Sequence, residues 1–153
     1  MTPTENAPIT TPIGCFWLHT HEQTIVALSA KPPVTAVDMG LHALMQTWLD
    51  HYFAGQSVTA DLLPLAPEGS AFRVRVWTAL QTIGWGQVQS YGEVAKRLNS
   101  SPRAVGGAVA ANPIPIVIPC HRVIGTNRAL RGYSAMGGVE SKRFLLALEG
   151  GNF

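Results

Sequence analysis

Ser90-Tyr-Gly-Glu-Val-Ala-Lys-Arg-Leu-Asn-Ser-Ser-Pro-Arg-Ala-Val-Gly-Gly-Ala-Val-Ala-Ala111 holds two helix starts in close succession. Glu93 follows Ser90 at the capping-box spacing, in which each side chain satisfies the other's unpaired amide, and a helix is predicted over 91–98. Asn99-Ser100-Ser101 reads as a turn, Ser101 as a second N-cap, and Pro102 as a first-turn proline whose missing N–H costs no hydrogen bond. A second helix then covers 103–111. Two short helices across a tight turn read as a helix-turn-helix. After Arg103 the second helix has no large polar side chain of the kind that reads major-groove base edges. Its glycines and alanines make it slim enough for a minor groove, with little sequence preference. The alternative is close helix packing through small residues.

Charge favours the first of these readings. The net charge of +2 conceals a division: residues 1–70 sum to −5, residues 71–131 to +7, and the tail to zero. A segment this basic attracts polyanions, nucleic acid above all, because each neutralised phosphate releases counterions; a solvated basic face is the bland alternative. With 153 residues, 46% hydrophobic and 13% charged, the chain can bury a real core and is no disordered polymer. No apolar run is long enough to span a bilayer, and the polar start, Met1–Pro12, has no signal-peptide pattern, so a cytoplasmic protein is expected. The two cysteines, Cys15 and Cys120, are expected to be free thiols.

Outward from the helix pair, apolar residues at Phe72, Val76, Leu80 and Ile83 predict a helix over 71–83, ended by Gly84 and Gly86. Before it, Thr59–Ser70 carries Pro64, Pro67 and Gly69 and reads as a linker. Further back, Gly40–Phe53 has helical spacing, and the β-prone runs Ile13–Leu18 and Thr24–Ser29 flank a turn expected at residues 19–23. The fold class is therefore α/β, more specifically α+β. A small N-terminal strand-helix domain (1–69) is joined to a mainly helical domain (70–153).

Asn112-Pro-Ile-Pro-Ile-Val-Ile-Pro-Cys-His-Arg-Val123 reads as an extended apolar run, stiffened by three prolines, that delivers Cys120 into a turn. A lone cysteine is usually a buried inert thiol. Here His121 offers an imidazole and Arg122 a positive field, the neighbours a reactive sulfur needs. Direct proton transfer between adjacent residues requires a turn or a bridging water. Glu149, on the apolar-periodic tail helix with Val139, Phe144, Leu145 and Leu148, is a candidate to orient the imidazole; by itself it reads as a surface acid.

Pro119-Cys-His-Arg-Val123, preceded by Arg103-Ala-Val-Gly-Gly-Ala108 and Asn112-Pro-Ile-Pro115, resembles the O6-alkylguanine-DNA alkyltransferases. The likeness runs from about Phe72 to Gly150 and includes Val76-Trp77, Ser90-Tyr-Gly-Glu93, Gly132-Tyr133, Leu145-Leu146 and Glu149-Gly150; the first 70 residues match only in general layout. The resemblance implies single-turnover repair, in which Cys120 takes the alkyl group of O6-alkylguanine, with O4-alkylthymine as a second candidate substrate. His121, working through a water and oriented by Glu149, would take the thiol proton, and Asn112 would hold the turn. Arg103 would fill the gap left by the extruded base, while Tyr91 aids extrusion and donates a proton to the guanine. Ser90, Ala104, Gly106, Gly107, Ala110 and Arg122 would face DNA; Tyr133, Ser134 and Val123 would line the lesion pocket. Neither metal nor cofactor is implied, and the partner is double-stranded DNA carrying the lesion, met by a monomer that can cluster along the duplex.

The sequence departs from the family pattern at Arg73 (glutamine is usual), at Trp85 (tyrosine is usual) and in a longer loop over 133–138. Cys15, His19 and His21 have no fourth ligand spaced to make a zinc site. Three other readings fare worse. A non-reacting lesion binder would lack Cys120. A transcriptional regulator would need base-reading side chains on the second helix, and a Cys-His hydrolase an oxyanion-hole motif.

Overall fold

The computed structural model describes residues 7–130 and 138–151. Strands β1 (Ile9–Thr11), β2 (Gly14–His21) and β3 (Thr24–Ser29) form an antiparallel meander in the order β1-β2-β3. Ile9, Phe16, Leu18, Ile25 and Leu28 are buried from its inner face. Two expectations change here. The polar start supplies β1, whose Ile9 pairs with Phe16. The hairpin turn shrinks to Glu22-Gln23, with φ of 47° and 68°. Positive φ at both central positions matches the right-handed twist of the strands, so polar His19–His21 continue β2 on its solvent side rather than forming a loop.

Helix α1 (Met39–Phe53) starts at Asp38, whose carboxylate accepts from the Leu41 amide, and buries Met45, Leu49 and Tyr52. The segment 59–70 is not a bare linker. Its Leu65 bridges Ile25, the Ile25 amide donates to the Pro64 carbonyl at 2.8 Å, and the Ala66 amide returns to Ile25 at 2.8 Å. Proline lacks a donor but keeps its acceptor, so Pro64 can still edge a sheet.

Helix α2 (Ala71–Leu80) is capped by Ser70 and buries Val76, Trp77, Ala79 and Leu80. It ends before Ile83: the Thr82 hydroxyl bonds the Ala79 carbonyl at 2.6 Å and the chain tightens into a turn. The Trp77 indole donates to the Ala108 carbonyl at 2.8 Å, tying α2 to α4 (Pro102–Ala110). Between them, β4 (Gln89–Ser90) leads into α3 (Tyr91–Arg97), where the expected capping box is realised in both directions. Asn99, at φ 54°, makes the turn to α4, which Ser101 caps. α3 and α4 pack through Val94, Ala95, Val105, Ala108 and Val109, leaving Arg103, Ala104, Gly107 and Ala110 exposed. β5 (Val123–Ile124) pairs parallel with β4, and α5 (Gly138–Leu148) closes the described chain. Buried residues of both halves join in one apolar cluster, from Ile9 to Leu145. Among the described residues, no helix is long and apolar enough to cross a membrane.

Candidate active site

The approach to Cys120 folds back instead of extending. Ile116 sits at φ 74°, and the Ile118 amide bonds the Ile114 carbonyl at 3.0 Å. Burial goes with this course, since every residue from Ile114 to Cys120 is buried, odd and even positions alike, with no face left to solvent. Asn112 locks the loop, donating to the Ile118 carbonyl at 2.8 Å and accepting from the Ile114 amide at 3.0 Å. Cys120-His121-Arg122 then form one 3-10 turn, its start held by the Cys120 amide on Ile118 at 2.7 Å.

Both cysteines are free; Cys15 is exposed and Cys120 buried. Burial pushes the Cys120 thiol above its ordinary pKa, against hydrogen bonding from Asn112 and the charge of Lys142. Burial also pulls His121 below its ordinary value, although Glu149 opposes this. Cys120 and His121 are therefore a neutral thiol and a neutral imidazole, and reaction requires a proton to move.

Glu149 is the hub, and it is buried rather than a surface acid. Its Oε2 accepts from His121 Nε2 at 2.7 Å, from the Tyr52 hydroxyl at 2.5 Å and from Arg122 Nη2 at 3.0 Å. Its Oε1 accepts from Arg122 Nε at 2.8 Å and from the Gly86 amide at 3.4 Å. Burial alone would raise this carboxyl; the hydrogen bonds and charges of His121 and Arg122 outweigh it and lower the pKa to about 2. Because Nε2 gives its proton to Glu149, the Nδ1 of His121 is left as an acceptor with no partner among the described residues.

Arg122, expected to face DNA, is turned inward here. It is buried, bound to Glu149, and donates Nη1 to the Ile83 carbonyl at 2.5 Å. Its field is spent on the carboxylate. The cation that acts on Cys120 is Lys142, a residue the sequence reading passed over. Lys142 is 1% exposed, bonds the Val123 carbonyl at 2.5 Å, and lies 5.9 Å from the centroid of the Tyr91 ring. Burial lowers its pKa to about 8, against the opposing influence of Cys120. The signal was available: Lys142 shares the buried face of α5 with Leu145 and Leu146, and Glu149, one residue past the helix, continues that stripe at the same spacing. Tyr52 was likewise legible only as a stripe residue.

A cavity of about 510 Å³ is lined by Ser90, Tyr91, Gly92, Pro102, Arg103, Gly106, Gly125 and Thr126, and its Tyr91 is the residue whose ring lies near Lys142. That volume is within the range of small-molecule sites. Val123, expected to line the lesion pocket, is fully buried, and the described lining of this cavity includes Gly125 and Thr126 from the same segment. The β4–β5 pairing brings Ser90 beside Ile124, which sets the cavity next to the strand that follows the Cys120 turn. Tyr133 and Ser134 lie outside the described residues. Trp85 packs edge-on to Tyr52 with centroids 5.3 Å apart.

Comparison with known proteins agrees with this geometry. The family model described as the DNA-binding domain of 6-O-methylguanine DNA methyltransferase matches residues 71–151. A methylated-DNA–protein-cysteine methyltransferase of Haemophilus influenzae is 50% identical over 102 residues, 65% of this chain and 56% of the relative. One from Methanosarcina acetivorans is 49% identical over 104 residues, with 67% and 65% covered. The alignments thus span less than two thirds of these relatives' length. A crystal structure of Mycobacterium tuberculosis OGT in complex with DNA superimposes with a TM-score of 0.82 at 39% identity, covering 93% of this chain and 90% of that one. An O6-methylguanine DNA methyltransferase from Methanococcus jannaschii gives a TM-score of 0.71 at 29% identity, with 96% and 95% covered. With this likeness spanning both halves of the chain, and the family model covering the segment from α2 through Glu149, the protein belongs to the O6-methylguanine DNA methyltransferase family.

Proposed function

We propose that this protein repairs DNA by accepting, once and irreversibly, the alkyl group of O6-alkylguanine on Cys120. The observation that carries the reading is the buried set Cys120, His121 and Glu149 in a fold that also holds a cavity lined in part by Arg103 and Tyr91. α3 and α4 act as a helix-turn-helix whose exposed small-residue face, Ala104, Gly107 and Ala110, enters the minor groove of a DNA duplex. A sulfur held inside protein cannot reach an O6 alkyl carbon within stacked bases, so the damaged base is turned out into the cavity, at a cost of a few kcal/mol. Arg103, exposed at the start of α4, fills the space left behind.

Cys120 then forms an S–C bond as the C–O6 bond breaks, and the electron pair of that bond returns to the purine. The thiol proton passes, through a water, to Nδ1 of His121, whose Nε2–H remains on Glu149. Tyr91 delivers a proton to the purine ring, so guanine leaves neutral. A thioether is a poor leaving group; the alkyl stays and each molecule reacts once. The part 70–153 carries the chemistry and DNA contact, and 1–69 supports it. The protein acts as a cytoplasmic monomer on its DNA, able to cluster along the duplex.

Incubated with duplex O6-methylguanine DNA, the protein gains the mass of one methyl group, located on the Cys120 peptide by mass spectrometry. An unmodified protein removes the proposal. Arg103→Ala weakens base extrusion more than Lys96→Ala, because the first side chain fills the stack while the second reaches only phosphate. A fluorescent base analogue at the lesion reads extrusion, and equal effects of the two substitutions count against the wedge.

A further inference from the structure

Tyr52 enters this site from the other end of the chain. Its ring is wholly buried in α1, stacked on Trp48 at 5.7 Å and edge-on to Phe53 and Trp85. Apolar packing accounts for the ring but not for a hydroxyl, which in such a place requires a partner. The hydroxyl is 2.5 Å from Glu149 Oε2 and 3.4 Å from His121 Nε2. Only one of these is a good hydrogen bond. The imidazole proton on Nε2 points to the carboxylate, so the phenol donates to Glu149 and shares Oε2 with His121 and Arg122.

We infer that Tyr52 is a positioning residue of the alkyl-acceptor site, its hydroxyl holding Glu149 and dividing that carboxylate's charge with His121. The inference rests on the proposed role of His121 as proton acceptor. An Oε2 shared only by His121 and Arg122 would favour the imidazolium more, and an imidazolium cannot take a proton from Cys120. An Oε2 that accepts from Tyr52 as well keeps the imidazole oriented yet neutral. The groups facing His121 are Glu149 and Lys142 from α5, Arg122 and Cys120 from its own turn, and Tyr52 from α1. Arg122 and Lys142 already disfavour the imidazolium, while Glu149 favours it. Tyr52 acts through Glu149 alone.

The test is Tyr52→Phe, which removes one oxygen and keeps the ring. The rate of Cys120 alkylation by iodoacetamide is followed by peptide mass spectrometry across pH 4–9, without DNA. Exposed Cys15 in the same molecule reports the reagent's own pH dependence. Loss of the phenol moves the acid limb of the Cys120 profile to higher pH by about half a unit to one unit, the scale of a lost hydrogen bond to a charged partner. At a pH on that limb the rate falls roughly three- to tenfold, while the Cys15 profile stays put. A nitrogen-15 titration of His121 shows the same upward shift. A residue needed only for packing lowers the melting temperature and leaves the acid limb in place; superimposable limbs overturn the inference. A shifted limb in a protein that takes no methyl from DNA leaves the Tyr52 assignment standing and removes the repair reading instead.

Discussion

Cys120→Ser takes up no methyl from O6-methylguanine DNA, yet still binds the duplex. Serine differs by one atom in a site that is 6% exposed, so the fold and the α3–α4 surface are retained. Its hydroxyl, however, is a far weaker nucleophile than sulfur at any pH the protein survives. The cost is complete loss of transfer, because the 3-10 turn offers no second nucleophile at the same place. Intact-mass measurement beside a gel-shift titration checks both halves of the expectation. A methyl group found on the variant, on Cys15 or elsewhere, means that Cys120 is not the acceptor.

Glu149→Gln is expected to have the largest effect on stability. The substitution leaves Arg122 buried with its charge uncompensated, and breaking a buried pair in this way costs about 3–5 kcal/mol. Thermal and urea unfolding measure it, and a cost under about 1 kcal/mol would mean that Arg122 finds other partners. Transfer to Cys120 is also lost, since His121 no longer has its orienting carboxylate. The pH dependence follows with a definite sign. Glu149 is held at about 2, below its ordinary 4.5, so its stabilisation is present in full above the ordinary value and is lost as pH falls toward 2. That difference corresponds to about 3 kcal/mol. His121, lowered from 6.5 mainly by burial, acts in the same direction and begins to be felt as pH falls below its ordinary value. The wild-type protein therefore loses stability in two steps on acidification, and Glu149→Gln removes the lower one.

The local signals were sound where one short segment decides the outcome. The Ser90–Glu93 capping box, the Ser101-Pro102 start and the α1 stripe all reappear in place, because a cap or a stripe is satisfied by residues within a few positions of one another. Errors fell where a segment answers to a distant partner. The 59–70 stretch looked unstructured until Ile25 supplied its hydrogen bonds. The proline-braced run looked extended until the Ile118 amide turned back to the Ile114 carbonyl and the whole stretch was buried. Arg122 looked like a surface cation because sequence does not show that Glu149, 27 positions later, returns to meet it.

By itself, the sequence determined the Cys120–His121 pair, the helix pair and the family likeness. All of these are carried by contiguous residues that can be identified without knowing what packs against them. Only the tertiary structure decided how the charges are arranged: Glu149 as a buried hub, Arg122 as its counter-ion, Lys142 as a cation whose charge acts on Cys120 and Tyr52 as a further donor to the carboxylate. Electrostatics depends on burial and on distance through space, and both arise when α1, α5 and the Cys120 turn converge on one core.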